Sequence, residues 1–160
     1  MTQRAEALAE RLERGAAELA AFAESLTDAE WKRHIPPDAR PVGVIVHHVA
    51  SVYPVEIELA GLLAKGEPIV GVTWAAITEM NAGHARDNAA PTKAETLALL
   101  RKNSATAAAA VRGLSNVELD RAAPVSLNGD APLTTQFFIE DHALRHSFHH
   151  LARMRAGLGR

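Results

Sequence analysis

The chain has 160 residues, no cysteine, and seventeen Lys and Arg against nineteen Asp and Glu, for a formal charge of −2. That length supports a single domain over residues 1–160 whose core closes without a disulfide or metal staple. The balanced charge argues against a protein held by nucleic-acid phosphates, and the missing cysteines exclude disulfides, thiolate metal sites and an intrinsic thiol nucleophile. Hydrophobic residues make up 48% and aromatics 4%, which favours helices over a β-sandwich. The opening Met1-Thr-Gln-Arg-Ala-Glu-Ala-Leu8 carries charges where a secretory signal needs an apolar run. With no stretch approaching about 18 uninterrupted apolar residues, the expectation is a cytoplasmic protein without a membrane partner.

Leu8, Leu12, Leu19, Phe22 and Leu26 fall on one helical face, predicting an amphipathic helix over residues 3–26. Thr27-Asp-Ala-Glu30 reads as a capping box opening a short turn, and His34–Pro41 as a loop. A second long helix starts near Pro41 and runs to about Ala64, with Pro54 expected to kink it or remove one backbone bond. Residues 65–91 are irregular, punctuated by Gly66, Pro68, Gly71 and Gly83, with room for a short helix between Thr73 and Asn88. A connection that long can cross over the end of a bundle, so that the next helix runs parallel to the last. Thr92-Lys-Ala-Glu95 opens a third long helix stopped at Gly113, Ser115–Glu118 caps a short turn, 124–132 reads as a loop, and a last helix spans Leu133 to Ala156.

Eight histidines need an explanation, four of them between His142 and His150. At about 100° per residue, Phe137, Ile139, Ala143, Leu144, Leu151, Met154 and Leu158 define an apolar arc on the last helix. His150 falls inside that arc and His146 at its edge, whereas His142 and His149 lie farther out. In the second helix His48 is central to a face made by Val44, Ile45, Val52, Val55, Leu59, Leu62 and Leu63, and His47 points away from it. His146 and His150 are four residues apart, the spacing at which two imidazoles on one helix share a metal ion. Three convergent histidines form a neutral ligand set of the kind that holds catalytic zinc and leaves a coordination position open. Buried imidazoles must otherwise satisfy both ring nitrogens and repel one another when protonated. A dinuclear iron site needs Glu-x-x-His pairs, and none occurs.

The order of these segments resembles the DinB/YfiT-like superfamily. The match rests on Pro41-Val-Gly-Val-Ile-Val-His-His-Val-Ala50, on His146-Ser-Phe-His-His-Leu-Ala-Arg-Met154, and on Met80–Ala85, Thr92–Arg101 and Gly113–Asp120 between them. The resemblance implies an all-α, up-down-down-up four-helix bundle with a long crossover between helices two and three. It further implies a divalent metal, zinc or nickel, on His48, His146 and His150, and a homodimer. His47 and His142 stand as alternative ligands. The activity implied is that of a metal-dependent enzyme working on a small-molecule substrate with a low-molecular-weight thiol or water, a thiol S-transferase or a hydrolase, against a non-catalytic binding bundle. No catalytic base announces itself. Glu56 lies two turns from His48 along the second helix, Asn81 and His84 read as surface residues, and Glu140 and Asp141, carboxylates that can orient a ligand imidazole, read first as solvated charges of the last helix.

Overall fold

Alanines and leucines three and four apart build α1, Gln3–Ser25, which buries Leu8, Leu12, Leu19 and Phe22 and is capped by Thr2, whose hydroxyl accepts from the Ala5 N–H. The computed structural model describes residues 2–36 and 38–160; Met1 and Pro37, the latter inside the expected His34–Pro41 loop, lie outside the described residues. A reciprocal capping box between Thr27 and Glu30 opens α2, Asp28–Trp31. The longest helix, α3, Val42–Lys65, ends at Gly66, whose φ of 82° only glycine adopts without strain. At the other end of α3, Gly43 admits the Trp31 indole: a Cβ there would fall 2.4 Å from the ring. The indole Nε1–H in turn donates to the Pro91 carbonyl at 2.9 Å.

Pro54 sits inside α3 without ending it. Its missing N–H frees the carbonyl four residues back, that of Ala50, and the Asn103 amide donates to that oxygen at 2.8 Å from a neighbouring helix. The lost backbone bond is thus replaced from outside the helix.

Downstream, α4, Trp74–Asp87, contains no buried residue. Thr92 caps α5, Lys93–Arg112, and a Ser115–Glu118 capping box opens α6, Asn116–Asp120. Flanking the expected loop 124–132, and taking in Leu133 where the last helix was expected to start, β1, Ala122–Pro124, pairs antiparallel with β2, Pro132–Thr134, and Ile69 adds a parallel bridge to Val125. Three-residue strands that each carry a proline have no periodicity to announce them. The final rod is α7, Thr135–Ile139, one π-helical turn, Glu140–Leu144, and α8, Arg145–Leu158.

Cross-links between helices set their directions. Arg112 binds Glu13 bidentately at 2.6 and 2.7 Å and Glu6 at 3.0 Å, while Lys93 reaches the Leu26 carbonyl at 2.5 Å, so α1 and α5 are antiparallel. Arg4 holds Gln136 and Arg160 holds Glu30, which aligns α1 with the final rod. Glu56 meets His146 and His48 meets His150, so α3 opposes α8. Together α1, α3, α5 and the α7–α8 rod form a four-helix bundle. α3 is long and apolar enough to cross a bilayer, and most of it is buried between the other helices.

Candidate metal centre

The three histidines selected by helical angle converge. His48 on α3 and His146 and His150 on α8 each offer a ring nitrogen, and those atoms all lie within 4.8 Å of one another. Ring centroids are 5.0 Å apart for His48 and His146, 4.8 Å for His146 and His150, and 5.5 Å for His48 and His150. One turn from the triad, the buried hydroxyls of Tyr53 on α3 and Ser147 on α8 are hydrogen-bonded, fixing the two helices against each other.

The donor set fits a cation. Glu56 Oε1 lies 2.7 Å from His146 Nδ1. An ionised carboxylate only accepts, so this contact puts the His146 proton on Nδ1 and leaves Nε2 as a lone-pair donor. That Nε2 faces His48 Nε2 at 3.1 Å. Burial, reinforced by His146 and Arg40, pushes His48 down to about 2, and burial together with the same neighbours pushes His150 down to about 3. Both are therefore neutral at pH 7, the protonation state that a metal ligand needs.

The alternative ligands take other partners. His47 Nδ1 is 2.8 Å from His84 Nε2 and 3.3 Å from the Ser51 hydroxyl. His142 stacks on Phe138 with ring centroids 4.3 Å apart. Glu140 and Asp141 orient none of the three imidazoles: Glu140 binds Arg11 at 2.8 Å, and Asp141 binds Arg145 at 2.9 Å. Glu56 takes that role. Measured along α3 it is remote from His48, but the antiparallel α8 carries His146 back to it. Asn81 and His84 are half-buried rather than surface residues; Asn81 Oδ1 and His84 Nδ1 are enclosed without hydrogen-bond partners.

The triad opens into a cavity of about 670 Å³, a size suited to a small molecule. Val52, Val55, Leu59, Trp74, Ile77 and Phe138 give it apolar walls. Of its three carboxylates, Asp38 pairs with Arg40 and Asp141 with Arg145, while Glu56 binds His146 through Oε1 and keeps Oε2 enclosed without a partner. Arg40 was not legible as a site residue, because it stands in an irregular loop before α3 where no periodicity fixes its direction.

No curated protein matches this sequence. Among solved structures the chain is similar to YfiT from Bacillus subtilis, described as a probable metal-dependent hydrolase with an unusual four-helix bundle topology, at a TM-score of 0.78 and 18% identity over 99% of this chain and 90% of that one. It is also similar to the mycothiol-dependent maleylpyruvate isomerase, at a TM-score of 0.70 and 16% identity over 96% of this chain and 63% of that one. Residues 11–154 match the family model of the DinB superfamily. With the four-helix bundle in place and that match spanning most of its length, the chain belongs to the DinB superfamily.

Proposed function

We propose that the chain is a metal-dependent enzyme in which His48, His146 and His150 hold one divalent ion, zinc or nickel, beneath a cavity that takes a small-molecule substrate and a low-molecular-weight thiol. The observation that carries this reading is the convergence of three imidazole donors within 4.8 Å, one of them hydrogen-bonded to a buried carboxylate. A divalent ion bound there supplies Lewis acidity with its charge undiminished by any anionic ligand. The protein's own groups do the rest: Glu56 holds the proton on His146 Nδ1, burial keeps His48 and His150 neutral, and the apolar walls receive the body of the substrate.

A thiol nucleophile is favoured over water because Asp38 and Asp141 are ion-paired and Glu56 is committed through Oε1 to His146, its unpartnered Oε2 being enclosed away from solvent. A free thiol, with a pKa near about 8.5, gives up its proton with far less help than water needs. The chain has no cysteine of its own, so the thiol comes from solution. The fold shared with a mycothiol-dependent isomerase supports this, and the fold shared with a probable metal-dependent hydrolase supports water as the second reading. A cytoplasmic location, where small thiols are kept reduced, belongs to the same proposal. So does a homodimer, for which Val70 and Trp74, 74% and 70% exposed, provide apolar surface.

Metal analysis of tag-free protein tests the proposal, with one bound ion per chain expected and a loss of stoichiometry in His150→Ala. Turnover of electrophilic substrates should then require both the metal and an added thiol. Metal-dependent turnover without a thiol selects the hydrolase reading. If neither zinc nor nickel binds or raises the melting temperature, the protein is a non-catalytic bundle and the proposal fails.

A further inference from the structure

The cavity has a polarity that the reaction proposed above does not explain. Because α3 and α8 are antiparallel, Arg40, His48 and Leu59 succeed one another along one wall while Arg153, His150 and His142 do so along the other. The triad therefore lies between a cationic end and an apolar one.

Toward the apolar end the only cation, Arg145, is paired with Asp141, and Glu56 hydrogen-bonds His146 through Oε1. The cationic end is different. Asp38 accepts from Nε and Nη2 of Arg40, which cancels one guanidinium charge and occupies one of its two bidentate edges. Arg40 Nη1, on the other edge, is enclosed without an acceptor. Arg153 lies one helical turn beyond His150, half-buried and lining the cavity, and has no acceptor among the described residues. One unit of positive charge is left unanswered at the place where an elongated ligand crossing the triad would end.

We infer that Arg153, beside Arg40, anchors a carboxylate, and that the substrate is a small acid with an apolar body. Its carboxylate meets the guanidinium end, its reacting bond lies at the triad, and its apolar part rests against Val55 and Leu59. A planar carboxylate suits a guanidinium fork, and the pair strengthens in a cavity with apolar walls. The position of the reacting bond rests on the triad being the reacting centre; the carboxylate anchor does not.

Calorimetric titration of hexanoate and its neutral isostere hexanamide into tag-free protein tests the anchor. The metal-free arm is decisive, because a carboxylate could also bind zinc directly. Hexanoate should bind at least tenfold more tightly than hexanamide in that arm, and Arg153→Gln should abolish most of the preference while leaving zinc stoichiometry and hexanamide affinity unchanged. Arg153→Lys, which keeps the charge and loses the fork, should keep part of it. Equal affinity for the two probes, binding of neither, or a preference that survives Arg153→Gln overturns the inference. Failure of zinc to bind while the carboxylate preference persists would defeat the metal-dependent reading and leave the anchor standing.

Discussion

The contact between Glu56 and His146 makes a prediction in which two measurable quantities move in different ways. Glu56 Oε1 is 2.7 Å from His146 Nδ1, and the Glu56 side chain is only 11% exposed. In Glu56→Gln the shape is kept and the charge is lost. The amide oxygen can still accept from Nδ1–H, but the amide can also rotate to present its NH2 group, which favours the tautomer with the proton on Nε2 and removes a lone pair from the triad. Changes to such carboxylate partners of ligand histidines typically cost about 10–100-fold in metal affinity, or about 1.4–2.8 kcal/mol. Competition titration of zinc against a chromophoric chelator should therefore show weakening by about 10–100-fold. The metal-free variant should melt at or above the wild-type temperature, because a buried charge has been replaced by a neutral group. Unchanged zinc affinity would refute the assignment of Glu56, and an equal loss of affinity and metal-free stability would make it a structural residue only.

Three further predictions concern the scaffold that positions the site. Asn103→Ala leaves the Ala50 carbonyl without a donor and should cost about 1–3 kcal/mol in chemical denaturation, and adding Pro54→Ala, which restores a backbone N–H, should recover part of it. Gly43→Ala should destabilise by about 1–3 kcal/mol despite alanine's better helix propensity, because its Cβ would meet a Trp31 ring already pinned to Pro91; a neutral or stabilising result would show that the ring can move. His48 and His150 titrate near 2 and 3 in the folded chain, below the ordinary value of about 6.5, so the unfolded chain takes up their protons first. Metal-free stability, full above about pH 6.5, should then fall by about 1 kcal/mol per group for each unit below it, and a flat profile between about pH 7 and 5 in urea denaturation would refute the burial argument.

The long helices and the three convergent histidines were legible because both depend on spacing within one element. Leu8 to Phe22 mark a buried stripe, and four residues bring His146 and His150 to the same side. Contacts between elements were less accessible. Glu56 lies 90 residues before His146, and its distance was judged along α3 alone. Had α3 and α8 been laid antiparallel with His48 opposite His150, Glu56 would have fallen level with His142, one turn from His146 and within a side chain's reach of it. Arg40 offered no such route, since its direction depends on the Asp38 side chain two residues away in an irregular loop.

The π turn at Glu140–Leu144 explains why the same wheel succeeded for the triad and failed just upstream of it. An angular step of about 100° per residue assumes an unbroken α-helix, and a π turn inserts one extra residue and shifts everything before it by about that angle. Phe137, placed by the wheel on the apolar arc, is 51% exposed, while Phe138 is buried at 3%. Counting the extra residue rotates Phe138 into the arc and Phe137 out of it. His146 and His150 both follow the turn, so their mutual angle is untouched. Glu140 and Asp141 lie within it and turn to Arg11 and Arg145 instead of to an imidazole. Two imidazoles on the same side of a helix defect can be placed by periodicity; residues across it cannot, and the carboxylate that meets His146 has to come from the facing helix.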